Sequence, residues 1–467
     1  MPSELQTTSQ EPVAWDAQGD RPAPRRVLLI SYPFPPVGGA GVQRAVKFVK
    51  YLERHGWLAS VLTVANPSVP AFDESLADDI PENVLVRRAT TWEPGYGLKK
   101  SVASVNGEMS QRLGFVGRIL KPWLRWLGNT LLQPDAQVLW LPGAVREGRQ
   151  LLQEIPHSAI VATGPPFSTF LIGAALSRHS GLPLLLDYRD EWSISSAYWE
   201  NKQPGMVSRR VQGWMQKHVV RTARALVATS RASAKSLEAI RDEAGSTARV
   251  TWIHNGYDPE DFPPGDPFTE PTHAPYRLAY IGTLWNLTSV APLVEAVRRL
   301  ARRRPSLASD LELVFAGRRT PAQQELLAGL QGLPCRVIEH PYIDHRTAID
   351  FIRTADGLCL LLSNVPEAGR VVPAKLFEYM AAKRPILAIA PHGEVWHLLS
   401  DYPAGHLVLP TDIDGIATSL ATEIQRHRAS YLTDFSGWDG SRYDRCSQAG
   451  ELAELLESLQ TPQEVAC

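Results

Sequence analysis

Apolar runs of strand length recur along this chain, and between them the apolar residues fall at helical spacing. The runs lie at residues 26–31, 58–64, 159–163, 183–187, 225–230 and 250–254, and again at 278–282, 311–317, 335–339, 357–362 and 386–390. A strand of a parallel sheet is buried on both faces and therefore reads as a continuous apolar run. Each must be followed by a crossover, usually a helix, before the next parallel strand. Val42, Ala45, Val46, Val49 and Leu52 keep such a helical period, as does the stretch 168–179. A Pro-, Gly- and Asp-rich stretch at 258–275 separates the two series and is the natural domain boundary. The pattern predicts an α/β protein of two Rossmann-like domains facing a cleft, spanning 25–262 and 275–435. Residues 1–24, rich in Ser, Thr, Gln and Pro, read as a disordered tail. Residues 448–459 form a short amphipathic helix, with Leu452, Leu455, Leu456 and Leu459 on one face.

A chain of 467 residues exceeds what one core supports. Cys335, Cys359, Cys446 and Cys467 have neither metal nor redox spacing, which suits a reducing cytoplasm. Residues 1–22 lack the basic and apolar regions of a signal peptide, and no run reaches the roughly 20 apolar residues of a membrane span. A soluble cytoplasmic protein is expected. The net charge of -1 conceals an asymmetry: residues 23–260 carry a surplus of eight basic side chains, residues 261–467 a surplus of six acidic ones. The basic half suits an anionic partner such as a phospholipid surface or a pyrophosphate-bearing acceptor, or is ordinary solvated surface. No nucleic-acid partner is expected. In residues 99–128, Arg112, Arg118, Lys121 and Arg125 interleave with Leu113, Phe115, Ile119, Leu120, Trp123, Trp126 and Leu127. Two readings fit: a helix lying on an anionic membrane surface through residues 111–128, or a helical insertion packed on its own domain.

The richest local signal is the segment 371–382. It reads as a helix opening on Pro373, whose missing N–H costs nothing at the first helical position. Lys375 brings a full positive charge to that end, where backbone N–H groups already favour phosphate. Glu378, one turn on, offers a carboxylate that can accept two hydrogen bonds from a sugar diol. Together they could hold a nucleotide sugar; equally, Lys375 and Glu378 could be an exposed i, i+3 ion pair. The loop after the first strand contains Gly38 and Gly39, where a backbone can approach a diphosphate or acceptor closely, or simply turn. Asp187 and Asp190 stand where a strand ends at the cleft, with Arg189 between them. Asp190 can orient an acceptor hydroxyl or take its proton. Asp412 and Asp414 have the spacing of a metal-binding carboxylate pair, yet they precede a helical run, where capping explains them. His392 and His397 lack the further ligands that zinc requires. No metal or other cofactor is called for.

Several segments, in order, resemble the family-4-type retaining glycosyltransferases of GT-B fold. They are residues 27–41; Pro134-Asp135 with Trp140-Leu141-Pro142; Ala162-Thr163-Gly164-Pro165-Pro166; Asp187-Tyr188-Arg189-Asp190-Glu191-Trp192; and His254-Asn255-Gly256-Tyr257-Asp258-Pro259-Glu260-Asp261-Phe262. Tyr280-Ile281-Gly282-Thr283, Val314-Phe315-Ala316-Gly317, the helix from Pro373 and the closing Phe435-Ser436-Gly437-Trp438 complete the set. The resemblance implies transfer of a sugar, with retention, from a nucleotide-diphosphate donor to a glycan or lipid-linked acceptor in bacterial glycan synthesis. It places the donor on the second domain, the acceptor on the first, and residues 436–467 in a segment returning to the first domain.

It further implies that Gly282, Gly317, Arg318, Glu367, Val371, Val372, Lys375 and Glu378, with Gly38 and Gly39, line the donor site. Asp187, Arg189 and Asp190 would line the acceptor site, and Asp190, Lys375 and Arg370 would be catalytic. Fixed cations there would stabilise charge developing on the leaving diphosphate. Two departures stand out. Arg370 occupies the place of a family glutamate eight residues before Glu378, and the usual Arg and Lys are missing from 282–286. A nucleotide-sugar epimerase, or a non-catalytic protein that binds nucleotide sugars, would share the same architecture.

Overall fold

Two all-parallel sheets form the framework, and their interior strands are buried because helices cover both faces. The computed structural model describes residues 25–69, 72–95, 132–194, 205–262 and 275–460. The expected tail at 1–24 and the segment at 111–128 lie outside them. The first sheet comprises β1 (Arg25–Ile30), β2 (Trp57–Val64), β3 (Leu85–Ala89), β4 (Ala159–Gly164), β5 (Leu184–Tyr188), β6 (Ala225–Ala228) and β7 (Arg249–Trp252), in the order β3-β2-β1-β4-β5-β6-β7. The second comprises β8 (Tyr276–Ile281), β9 (Leu311–Ala316), β10 (Arg336–His340), β11 (Gly357–Leu361), β12 (Ile386–Ile389) and β13 (Gly405–Val408), in the order β10-β9-β8-β11-β12-β13. Every pairing is parallel, for example Val27 with Ala59 and Ala159, and Tyr280 with Phe315.

Alternation along each strand divides the core between the two faces. In β1, Leu28 and Ile30 face one apolar layer, Val27 and Leu29 the other. In β8, Leu278 and Tyr280 join one layer, Ala279 and Ile281 the opposite one. Two strands escape the sequence reading, β3 and β13. Both are edge strands, covered on fewer sides, so they need no continuous apolar run: β3 carries Arg87 and Arg88.

The chain crosses between the sheets twice, and the two crossings run side by side. Tyr257 donates its N–H to Tyr443 O at 3.1 Å, and Arg445 donates to Tyr257 O at 2.9 Å. The helix Arg445–Ser458 then returns to the first sheet, where Ala449, Leu452, Ala453, Leu455 and Leu456 share one core layer with Val27, Leu29, Val42 and Val46. The architecture is α/β, with two Rossmann-like units and a C-terminal helix that completes the first.

Candidate functional site

In a doubly wound sheet, ligands bind beyond the carboxyl ends of the strands where the strand order reverses. Those points lie between β1 and β4 in the first sheet and between β8 and β11 in the second. On the second sheet, β8 runs into Gly282 (φ 144°) and β9 into Gly317 (φ 134°), in a conformation that side chains disfavour. A methyl group on Gly317 would strike the Gly282 carbonyl, and one on Gly282 would strike Lys375 Nζ. Two bare backbones thus stack with an ammonium laid on them. Lys375 Nζ sits 4.0 Å from the Tyr280 ring centroid, and no acidic partner is found for it among the described residues. Tyr280 is steadied in turn by donating its hydroxyl to Thr283 O at 2.9 Å. Arg318 lies exposed on the next loop, near Tyr342. Tyr342 reaches the other domain: a methyl group on Gly38 would meet its hydroxyl oxygen. Gly39 (φ 108°) borders open space.

The helix that carries Lys375 begins at Lys375 rather than Pro373 and is seven residues long, Lys375–Ala381. Leu376 and Phe377 donate to Pro373 O and Ala374 O, so the proline leads a tightened first turn. Val371 closes its own turn by donating its N–H to Ala368 O at 3.0 Å, which removes it as a ligand donor. Val372 is buried. Positive charge here therefore comes mainly from Lys375 and Arg318, not from a helix end.

On the first domain the residues expected for the acceptor separate into different jobs. Asp187 is only 2% exposed and accepts from Arg44 Nε at 3.1 Å, Arg44 Nη2 at 2.9 Å and Thr163 Oγ1 at 2.8 Å. It is an internal anchor, a correction to the expectation that it faces the acceptor. Arg189 likewise straps two loops together, donating to Gly41 O and Pro165 O. Asp190 is different: it is half-buried and has no hydrogen-bond or ion-pair partner among the described residues. Burial pushes its carboxyl above the ordinary range, with Glu191 adding to this and Arg189 opposing it.

Arg370 is also committed elsewhere. Its Nε lies 2.9 Å from Glu191 Oε1 and its Nη1 2.7 Å from Glu367 Oε2. Glu191 is buried and accepts from Ser233 Oγ and Ser236 Oγ as well. Ser230 Oγ donates to Arg370 O at 3.0 Å, and Glu394 accepts from Ala232 N at 2.9 Å. The residue that replaces the family glutamate is thus paired with Glu191 across the cleft and with Glu367 of its own turn instead of lying free for phosphate. Glu367 points to Arg370 from a left-handed backbone (φ 65°).

Glu378 is partly buried, and burial raises its carboxyl pKa. It feels the charges of His345, Asp261 and Arg445, and the nearby Gln43 amide of the first domain lowers its pKa. Gln43, Arg44, Glu191, Tyr342 and His345 were all missed from the sequence. One signal existed, since Gln43 and Arg44 interrupt the otherwise apolar start of a sheet-packing helix. Asp412 caps its helix, accepting from Gly415 N at 2.8 Å, and Asp414 pairs with Arg299 and Arg303. His392 lies against Trp396, with 4.2 Å between ring centroids. Among the described residues, no group of three His, Cys, Asp or Glu is placed to hold a metal ion.

Both sheets, the facing strand ends and the return helix define a protein of the GT-B class. The model of the glycosyltransferase 4-like domain matches residues 38–256, and that of glycosyl transferases group 1 matches residues 275–425. The chain belongs to the glycosyltransferases of GT-B type built from these two domains. HepE of Anabaena, solved with UDP and glucose, is 17% identical with a TM-score of 0.57, over 93% of this chain and 100% of that one. The UDP-forming α,α-trehalose-phosphate synthase of Burkholderia vietnamiensis is 13% identical with a TM-score of 0.56, over 93% and 100%. A putative UDP-N-acetylglucosamine 2-epimerase of Listeria monocytogenes is 13% identical with a TM-score of 0.51, over 93% and 96%. No curated protein matches the sequence.

Proposed function

We propose that the protein transfers a hexose, with retention, from a nucleoside-diphosphate donor to a hydroxyl of a glycan or lipid-linked acceptor. The observation that carries this reading is the Lys375 ammonium, without an acidic partner among the described residues, laid on the bare Gly282–Gly317 backbone at the strand-order reversal. There it can meet a diphosphate and stabilise the charge that develops as the sugar leaves. Arg318 adds a second cation at the same edge, and Glu378 accepts from the ribose diol. A uridine donor is favoured by the UDP and UDP-glucose complexes of HepE. On the facing domain, Asp190 orients the acceptor hydroxyl. The acceptor oxygen bonds to the anomeric carbon as the bond to the diphosphate breaks, on the face the diphosphate leaves, and the hydroxyl proton goes to Asp190 or to the departing phosphate.

Incubation with radiolabelled UDP-, GDP- and dTDP-sugars tests the reading. Transfer to an acceptor, or slow donor hydrolysis, is expected, with the product anomer read by NMR. Formation of an epimer would assign the protein to the chemistry named for the Listeria neighbour, and binding without turnover would leave a sugar-nucleotide-binding protein. Glu378→Ala should weaken donor affinity about tenfold or more, as expected for lost hydrogen bonds to a charged group; unchanged affinity would sink its assignment.

We also propose that the protein works in the cytoplasm and rests on the inner membrane face through residues 111–128, where a lipid-linked acceptor is found. The helix Met206–Thr222 of the same domain supports this by exposing Met206, Val207 and Trp214 beside Arg209 and Arg210. No helix of the described residues is long and apolar enough to cross a membrane.

A further inference from the structure

His345 opens a helix of the second domain, His345–Thr354, yet its polar contacts run to the first domain and the linker. Its backbone N–H donates to Asp73 Oδ2 at 3.0 Å. Its Nδ1 lies 2.8 Å from Gln43 Nε2, and its Nε2 lies 3.0 Å from Asp261 Oδ2. The Gln43 amide also lies close enough to the Glu378 carboxylate to lower its pKa. Two hydrogen bonds thus join Asp261, His345 and Gln43 across the domain boundary, and Gln43 stands next to Glu378 of the second domain.

We propose that His345 is the positioning residue of the donor clamp, fixing the Glu378 carboxylate through Gln43 only while the two domains are closed on each other. The inference rests on reading Glu378 as the donor contact. Hydrogen-bond chemistry dictates how this group of residues behaves. With Nε2–H donating to Asp261, a neutral imidazole has Nδ1 free to accept, so it draws on the Gln43 N–H groups. A protonated imidazole donates from both nitrogens, so Gln43 must turn its carbonyl to the ring and give both N–H groups to Glu378. Protonation of His345 thus holds Glu378 ionised and in place.

The groups facing His345 are Gln43 and Lys47 on the first helix, Asp73 on a first-domain loop, Asp261 on the linker and Glu378 on the Lys375–Ala381 helix. Asp344 and Arg346 flank it on its own element. Burial pulls the imidazole pKa down, but the Asp261 hydrogen bond and the charges of Glu378 and Asp261 outweigh it, leaving the value above 6.5. Donor affinity should therefore be greatest where His345 is charged and Glu378 ionised, and should fall as pH rises through the raised imidazole value.

Titration calorimetry on the full chain tests this with UDP-, GDP- or dTDP-glucose, whichever binds tightest, because a sugar-capped diphosphate does not titrate near neutrality. Wild-type affinity should fall about three- to tenfold from about pH 6 to about pH 8.5, the scale of a hydrogen bond to a charged group. His345→Gln cannot take a charge and should show weakened, pH-flat binding. Gln43→Leu leaves the His345–Asp261 pair intact and should do the same, which covers the case of a His345 variant that does not fold. A His345→Gln or Gln43→Leu protein that keeps the wild-type profile overturns the proposal. Should Glu378→Ala alone weaken binding, the positioning role fails and the donor reading stands; should Glu378→Ala bind like wild type, the donor reading itself fails.

Discussion

Asp258 shows how individual charges hold the junction of the two domains. Its carboxylate accepts from Lys47, Lys50 and the Tyr51 hydroxyl, with both the Asp258 and Lys47 side chains almost wholly buried. Burial alone would raise its pKa; the lysine charges and hydrogen bonds overcome this and hold it well below the carboxylate range. A depressed pKa contributes stability above the ordinary carboxylate value, and that contribution drains away as pH falls towards the depressed one. Asp258→Asn should cost about 1.5–3 kcal/mol, because the buried Lys47 ammonium loses one of its two carboxylate partners and keeps only Asp79, which Lys50 shares. Denaturant titration at neutral pH measures the loss, and the deficit should shrink in acid. Asp190→Asn should leave donor affinity unchanged while lowering acceptor turnover, read as a kcat effect. Turnover that needs an ionised Asp190 should fall with acidification through its raised pKa. At this scale the sequence was a partial guide. Asp190, Lys375 and Glu378 could be picked out as candidates because each follows a strand or lies in the first turn of a helix. Gln43 and His345 could not, because they lie 302 residues apart along the chain and meet only through the way the two domains come together.

Among the elements, the seam around Arg370 and the return helix carry the sharpest consequences. Arg370 sits between Glu191 and Glu367, while Ser230 and the start of the Arg231–Ala244 helix dock on Arg370 O and Glu394. Arg370→Ala should loosen this seam and raise the radius of gyration seen by small-angle scattering. Arg370→Ala and Glu191→Gln should be coupled by about 0.5–3 kcal/mol in a double-mutant cycle of stability. An additive cycle with unchanged scattering would refute the seam. Leu456 is fully buried in the layer that backs β1, so Leu456→Ala should destabilise by about 2–5 kcal/mol. Interior strands were legible because burial on both faces writes an apolar run into the sequence. The edges β3 and β13 were not, and the Lys375–Ala381 helix starts two residues later than its proline suggested.

For the molecule as a whole, the surplus of positive charge lies in residues 23–260 and the surplus of negative charge in residues 261–467. The first domain should therefore lead the approach to an anionic bilayer. Vesicles containing phosphatidylglycerol should sediment the protein at low salt, and removing residues 111–128 or changing Trp214→Ser should weaken this. Equal binding by both variants would count against the membrane reading. The return of Arg445–Ser458 to the first sheet has a consequence for biosynthesis. The strands of that sheet leave the ribosome before the second domain is made, but the residues that seal one of its apolar faces leave only after it. A nascent chain must carry that open face through the synthesis of the entire second domain, a period in which exposed apolar surface invites association. Truncation near residue 444 should thus yield insoluble protein rather than a free-standing second domain beside a healthy first one.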